Sequence, residues 1–300
     1  MYPEELPHDA PLDAVALSRI VATALDEDLG PPPGRDVTTQ ATIRASEWVR
    51  GAFVARADGV VAGLGAVAET MAQVARRLGL DEPSSKLNVA DGDRVAAGAT
   101  LVDVNGPGPV LLMGERTALN ILSRASGIAT HTRQWVDALA GSHARVLDTR
   151  KTTPGLRELE KYAVRCGGGI NKRMGLYDCA MVKDNHIIAA GSLTAAVTAI
   201  GARFPEVPIQ VEVESWAQTE EALAAGVRFL MLDNMTPRQM TQYVVRIRAR
   251  EAEIGKVWIE ATGGLTLDNA REVAATGVDF MSVGALTHSS PILDVALDLY

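Results

Sequence analysis

The sequence predicts an α/β protein in two parts, a small α+β layer domain followed by a parallel βα barrel. Three observations carry this. From Arg145 onward, six short apolar runs recur, each followed by a helix-patterned segment, which is the signature of a parallel sheet with helices outside it. Polar residues or glycines stand at the C-terminal end of every run, as in a barrel whose strand ends surround one mouth; an open doubly wound sheet would concentrate them at one switch point. Before Arg145, strands and helices mix without a βα repeat, and Pro107-Gly108-Pro109 punctuates the change.

In order, residues from Leu12 to Leu29 keep apolar positions at helical spacing, and Gly30-Pro31-Pro32-Pro33-Gly34 ends that helix in a stiff loop. Val49–Ala57 and Val60–Gly63 read as strands around an Asp58-Gly59 turn, a hairpin signal. A second helix spans Leu64 to Leu78. Asp91 to Asn105 has the Gly-x-x-Val-x-x-Gly spacing of a carrier domain but no lysine at the tip, so it is read as structural. Val110 to Ala140 is one long helical stretch. The domain division is expected as 1–115 and 116–289, with a C-terminal helix within 290–300 packing back on the first domain.

The six predicted strands are Arg145–Asp148, Ala180–Asp184, Ile209–Val213, Phe229–Asp233, Trp258–Ala261 and Phe280–Val283. Their helices are Leu156–Cys166, Leu193–Phe204, Ala217–Ala225, Pro237–Ala252, Leu267–Ala275 and Ile292–Leu299. Six units fall short of eight, so either the barrel is incomplete or one strand escapes the pattern.

Bulk properties narrow the function classes. The chain has 300 residues, 47% hydrophobic and 22% charged, a globular composition. A net charge of −8 excludes a general nucleic-acid surface, which needs a basic stripe. Between Arg116 and His186, however, 12 Lys and Arg stand against 6 Asp and Glu, so attraction of an anion is focused on the middle of the chain. No apolar run approaches the roughly 20 residues that span a bilayer. The start, MYPEELPHDAP, is acidic and proline-bearing, the wrong chemistry for a signal peptide. Cys166 and Cys179 are too few for a disulfide framework and are expected as buried free thiols in a reducing, cytoplasmic setting.

Three constellations carry chemistry. Around Thr-Pro-Gly and Gly-Gly-Gly turns, the stretch 148–186 gathers Arg150, Lys151, Lys172, Arg173 and Lys183, a cation set suited to a small, multiply charged anion. Thr262-Gly263-Gly264 and Val283-Gly284-Ala285 follow the last two strands, where barrels hold phosphate on backbone N–H groups. Glu212 and Asp233 end neighbouring apolar runs, where ionised carboxylates require partners: Mg²⁺, a developing cation, or salt bridges to Lys151 and Lys183. Glu214 shares the parity of Glu212 and competes with it. Lys183, ending an apolar strand, suits either anion binding or a Schiff base.

These motifs resemble the quinolinate phosphoribosyltransferase family over nearly the whole chain. They are ERTALNILSRASGIAT (115–130), DTRKTTPGLRELEKYAVRCGGG (148–169), RMGLYDCAMVKDNHI (173–187), VEVES (211–215), LDN (232–234), EATGGL (260–265) and VGALTHS (283–289). The resemblance implies an N-terminal α/β sandwich domain followed by an incomplete (β/α) barrel. It implies a Mg²⁺-dependent reaction of quinolinate with 5-phosphoribosyl 1-pyrophosphate, releasing pyrophosphate and CO₂ and giving nicotinate mononucleotide for NAD synthesis. By the same resemblance, Arg116, Arg150, Arg173 and Lys183 bind the quinolinate carboxylates, with Arg116 supplied by the other subunit of a homodimer. Lys151, Glu212 and Asp233 serve the phosphoribosyl pyrophosphate and Mg²⁺, and Thr149 and Lys172 complete the substrate-binding set. Thr262 to Gly264, Val283 to Ala285 and His288 hold phosphate. Lys172 stands where the family usually has histidine, which keeps positive charge but loses a titratable ring.

Three rival readings remain at this level: a nicotinate phosphoribosyltransferase without decarboxylation, a Schiff-base aldolase using Lys183, and a silent metabolite-binding protein. The surplus of Arg and Lys over a single carboxylate clamp disfavours the first.

Overall fold

The structure, a computed structural model, describes residues 10–300; most of the acidic, proline-bearing start lies outside the described residues. The chain divides into two compact units. One comprises 10–133, Thr152–Gly168 and Leu286–Tyr300; the other comprises Gln134–Lys151 and Gly169–Ala285. The division therefore falls at Arg133 rather than at 115, and the sequence returns twice to the first unit. Helical periodicity cannot show where one continuous helix changes its packing partners.

The first unit opens with α1 (Ala14–Leu29), whose N-cap Asp13 accepts the Ala16 N–H at 2.8 Å. α2 (Val37–Thr42) starts from Asp36, which accepts from Thr38 and Thr39. Next come β1 (Trp48–Ala55), β2 (Gly59–Val60), α3 (Gly65–Leu78), β3 (Ser84–Leu87), β4 (Arg94–Val95) and β5 (Thr100–Pro107). α4 (Gly108–Ala138) is the long predicted helix. α1 packs on α3 through Leu17, Ile20, Val21 and Leu25 on one side and Val67, Met71 and Val74 on the other, all buried. Each such side chain contributes about 1.5–3 kcal/mol.

Two expectations fail here. The Asp58-Gly59 turn does not close a hairpin: β1 pairs with β5, whereas β2 pairs with β4. The C-terminal helix predicted over 292–299 is instead a strand, Val295–Leu299, antiparallel to β1 with Gly51 opposite Leu299. It completes a sheet that also contains β1, β5 and β3. Short apolar runs fit either period, and here an open edge on β1 decides. The segment thus joins the first unit as a strand of its sheet.

In the second unit β6 (Arg145–Leu147) precedes α5 (Arg157–Cys166), which belongs to the first unit. β7 (Ala180–Val182), α6 (Asp184–Ala190), α7 (Leu193–Arg203), β8 (Ile209–Val213), α8 (Trp216–Ala224), β9 (Phe229–Asp233), α9 (Pro237–Arg248), α10 (Glu251–Ile254), β10 (Trp258–Thr262), α11 (Leu267–Ala274) and β11 (Phe280–Ser282) follow; α12 (Ala285–His288) begins the return to the first unit, and the C-terminal strand is β12. All six predicted barrel strands are present, in one parallel sheet ordered β6-β11-β10-β9-β8-β7. A sheet of six parallel strands with edges at β6 and β7 is consistent with an incomplete barrel.

Its core is Leu147, Ile170, Phe229, Met231 and Phe280, with Met181 and Trp258 packed against it. The Phe229 and Phe280 rings stack with centroids 5.8 Å apart. Capping boxes at Ser215–Gln218, Thr236–Gln239 and Thr266–Asn269 start the helices directly after β8, β9 and β10, which keeps the connecting loops short and the strand ends fixed. No single helix among the described residues is long and apolar enough to cross a membrane.

Candidate active site

A cavity of about 250 Å³ opens at the C-terminal ends of these strands, lined by Thr149, Arg150, Lys151, Lys172, Arg173, Met181, Lys183, Glu212, Met231, Thr262 and Ser282. The sheet register explains the gathering. Glu212 pairs with Met231, and Met231 with Glu260, so these three lie in one row across three strands and face one side. Asp233 and Thr262 form the next row.

The carboxylates and cations are already engaged. Lys183 Nζ lies 2.5 Å from Glu212 Oε2. The salt bridge anticipated for Lys183 is thus formed, and Glu212 is its partner. Asp233 is held by burial above the usual carboxylate range, and the neighbouring Glu212 pushes it further, against the opposing pull of Lys183. Two carboxylates that repel one another at a pocket rim favour a shared proton or a divalent cation. Glu214, the competitor for this role, is exposed. No group of three or more His, Cys, Asp or Glu side chains suited to a metal exists among the described residues. Two carboxylates plus ligand oxygens are nonetheless an ordinary Mg²⁺ environment, so the donor set fits that ion.

One further residue frames the cations. Asp148, fully buried at the end of β6, accepts the Lys172 N–H at 2.8 Å and Asn171 Nδ2 at 2.6 Å. It therefore ties the Thr149–Lys151 loop to the 171–173 segment. The Lys151 N–H donates to Thr149 Oγ1 at 3.0 Å. Burial, and then the adjacent Arg150, lowers the Arg173 pKa, so two guanidiniums converge in the pocket. Arg173 Nη1 donates to the Cys179 carbonyl at 2.9 Å. Lys183 projects from the start of α6, where its N–H donates to His186 Nδ1 at 3.1 Å.

Lys172 does not stand as a bare substrate cation. Its Nζ is 2.6 Å from both oxygens of the fully buried Glu260. Sequence reading left Glu260, Asp148 and Ser282 out of the site. The available signal was a carboxylate inside an apolar strand, which requires a buried partner. Ser282 is buried in the pocket wall, and its hydroxyl has no hydrogen-bond partner.

Of the two glycine loops, the Thr262–Gly264 one takes left-handed backbone. Gly263 and Gly264 have φ of +80° and +61°, and a Cβ on Gly263 would lie 2.2 Å from Asn234 Oδ1. Asn234 itself has φ +53°. Its N–H donates to the Thr262 carbonyl at 3.0 Å, and its Nδ2 donates to Asp233 at 2.7 Å. The Val283 N–H donates to the Leu147 carbonyl at 2.9 Å. Val283, Gly284 and Ala285 belong to the barrel unit, but they and Gly263 and Gly264 are not among the residues lining the cavity. Arg116, exposed on α4, and His288, exposed with Nδ1 2.6 Å from Ser289 Oγ, belong to the first unit. Neither lines this cavity.

Comparison with known proteins identifies the family. The C-terminal domain model of quinolinate phosphoribosyl transferase matches residues 128–298, and the N-terminal domain model matches residues 36–126. The nicotinate-nucleotide pyrophosphorylase (carboxylating) of Mycobacterium leprae is 46% identical over 279 residues, 93% of this chain and 95% of that one. A probable enzyme of the same name from Bacillus subtilis is 42% identical over 91% of this chain and 90% of its own. The crystal structure of NadC from Streptococcus pyogenes superposes with a TM-score of 0.89 at 36% identity, covering 97% of this chain and 99% of that one. Both domain models, in order and spanning most of the sequence, place the chain in the quinolinate phosphoribosyl transferase family.

Proposed function

We propose that this chain is a decarboxylating pentosyltransferase, which moves the phosphoribosyl group of 5-phosphoribosyl 1-pyrophosphate to quinolinate. The products are nicotinate mononucleotide, pyrophosphate and CO₂, within de novo NAD synthesis. The observation that carries it is the pocket's division of charge: Arg150, Arg173 and Lys183 line the same cavity as Lys151 and Glu212, and Asp233 pairs in register with the pocket residue Thr262.

In this reading, Arg150, Arg173 and Lys183 hold the two carboxylates and align the ring nitrogen with the ribose anomeric carbon, which is mainly an orientation effect. Departure of pyrophosphate builds positive charge at that carbon, and Glu212 and Asp233 are the carboxylates available to stabilise it. Lys151 offsets charge on the leaving group. Glu212 and Asp233 are also the residues that would hold Mg²⁺, which when bound neutralises pyrophosphate oxygens. The Thr262–Gly264 and Val283–Ala285 loops, together with His288, take phosphate. Once alkylated, the ring is a cationic electron sink, so the carboxylate beside nitrogen leaves as CO₂; a protonated Lys183 stabilises the electron pair left on that carbon, and a proton taken up there, ultimately from solvent, completes nicotinate mononucleotide. No covalent enzyme intermediate is needed.

The active assembly is proposed as a cytoplasmic homodimer in which Arg116 of one subunit completes the site of the other. Substituting nicotinate for quinolinate separates this reading from its nearest rival. Pyrophosphate release with quinolinate but not with nicotinate is expected; comparable turnover of nicotinate would favour the enzyme without decarboxylation. Borohydride trapping of a substrate on Lys183 would establish the Schiff-base alternative instead.

A further inference from the structure

The six-stranded sheet leaves β6 and β7 as its two edges, and residues 170–173 stand in the opening between them. Ile170 forms a parallel bridge with Leu147, and its N–H donates to the Val146 carbonyl at 2.9 Å. Asn171 and the Lys172 N–H are fixed on Asp148, as described above. Arg173 reaches the carbonyl of Cys179, directly before β7. The Lys172 side chain crosses inward, with Nζ 5.9 Å from the Phe229 ring centroid, 3.0 Å from Met231 Sδ and 2.6 Å from Glu260 on β10.

We propose that Lys172 is a positioning residue acting through Glu260. The ion pair is a strut across the barrel interior that holds segment 170–173 over the gap and so fixes where Arg173 presents its guanidinium.

Two arguments favour positioning over simple stability. A buried ion pair costs the desolvation of two charges, and a well-packed apolar substitute is often as stable or more so. Stability alone therefore does not account for a lysine and a glutamate among Leu147, Ile170, Phe229, Met231 and Phe280. In addition, Arg150 and Arg173 repel each other, so their convergence needs a frame that holds the chain bearing them. Asp148 clamps the backbone end of that frame and Glu260 clamps the side-chain end. The role in ligand binding rests on the proposed function; the strut itself rests on geometry.

The test compares Lys172→Met, Glu260→Gln and the double variant. It uses calorimetric binding of quinolinate alone, KM for phosphoribosyl pyrophosphate, thermal unfolding, and the rate of Cys179 alkylation with Cys166 as internal control. The double variant carries no unpaired buried charge, so it remains folded where a single variant fails. The strut predicts that every folded variant loses quinolinate affinity by about tenfold or more, with the two changes non-additive. KM for phosphoribosyl pyrophosphate stays within about threefold. Cys179, now 5% exposed, alkylates faster, whereas Cys166 does not. If Glu260→Gln binds quinolinate as well as wild type while Lys172→Met does not, Lys172 contacts the ligand directly and the proposal falls. If the double variant keeps both affinity and Cys179 protection, the pair is merely structural and the proposal also falls. Should wild type bind no quinolinate, the functional reading fails, and Cys179 protection alone still decides the strut.

Discussion

Lys183 and Glu212 neutralise one another in the ligand-free pocket, ammonium to carboxylate at 2.5 Å. One is expected to hold a dicarboxylate and the other to serve the phosphoribosyl pyrophosphate and its metal. Each ligand must therefore take a residue from the other's half of the site. Glu212→Gln releases Lys183, so quinolinate alone is expected to bind more tightly, while kcat falls by about 10²-fold or more because charge stabilisation at the ribose carbon is lost. Calorimetry without phosphoribosyl pyrophosphate, followed by steady-state assay, checks both halves. Weaker quinolinate binding would show that the pair organises Lys183 rather than occupying it.

Asp233 gives a pH-dependent stability with a definite sign. Its pKa is raised in the folded protein above the ordinary 3.8 of an aspartate, chiefly by burial. The native state therefore binds this proton more tightly than the unfolded chain, and stability falls as pH rises from about 3.8 through the folded pKa, then levels off. Asp233→Asn removes that loss. The variant should unfold at higher denaturant than wild type at neutral pH, with the advantage shrinking as pH falls towards 3.8, and it should lose turnover. Equal pH profiles of stability for the two proteins would contradict the assignment.

Gly263→Ala tests the loop proposed to hold phosphate. The left-handed φ of +80° and the 2.2 Å approach of Asn234 Oδ1 together should cost about 1–3 kcal/mol of stability. Because Asn234 also holds Asp233, KM for phosphoribosyl pyrophosphate should rise more than KM for quinolinate. Denaturation curves and both KM values measure this, and a selective effect on quinolinate would place the loop on the wrong substrate.

Arg116→Ala and Lys151→Ala should each be nearly inactive. Mixed with verified subunit exchange, they should recover about a quarter of wild-type activity, because half of the dimers then carry one intact site. No recovery would count against sites shared between subunits.

The barrel was the most legible part of the sequence. All six strand positions follow from apolar runs, since strands buried on both faces need no alternation, and the capping residues at 215, 236 and 266 mark where each following helix starts. Pairing was less legible. β12 joins β1 across more than 240 residues, and nothing local to residues 292–299 distinguishes a short edge strand from a helical turn. The apparent hairpin failed for the same reason, because β5 competes for β1. Within the site, the cations stood out as a cluster, but Lys172 looked like one more of them. Only the fold brings it to Glu260, 88 residues away in the chain.

Coupling of phosphoribosyl transfer to decarboxylation is tested most directly by incubating the purified protein with quinolinate, phosphoribosyl pyrophosphate and Mg²⁺ while following both released products. Equimolar CO₂ and pyrophosphate, each dependent on both substrates, is the predicted result. Pyrophosphate without CO₂, or neither, would contradict it.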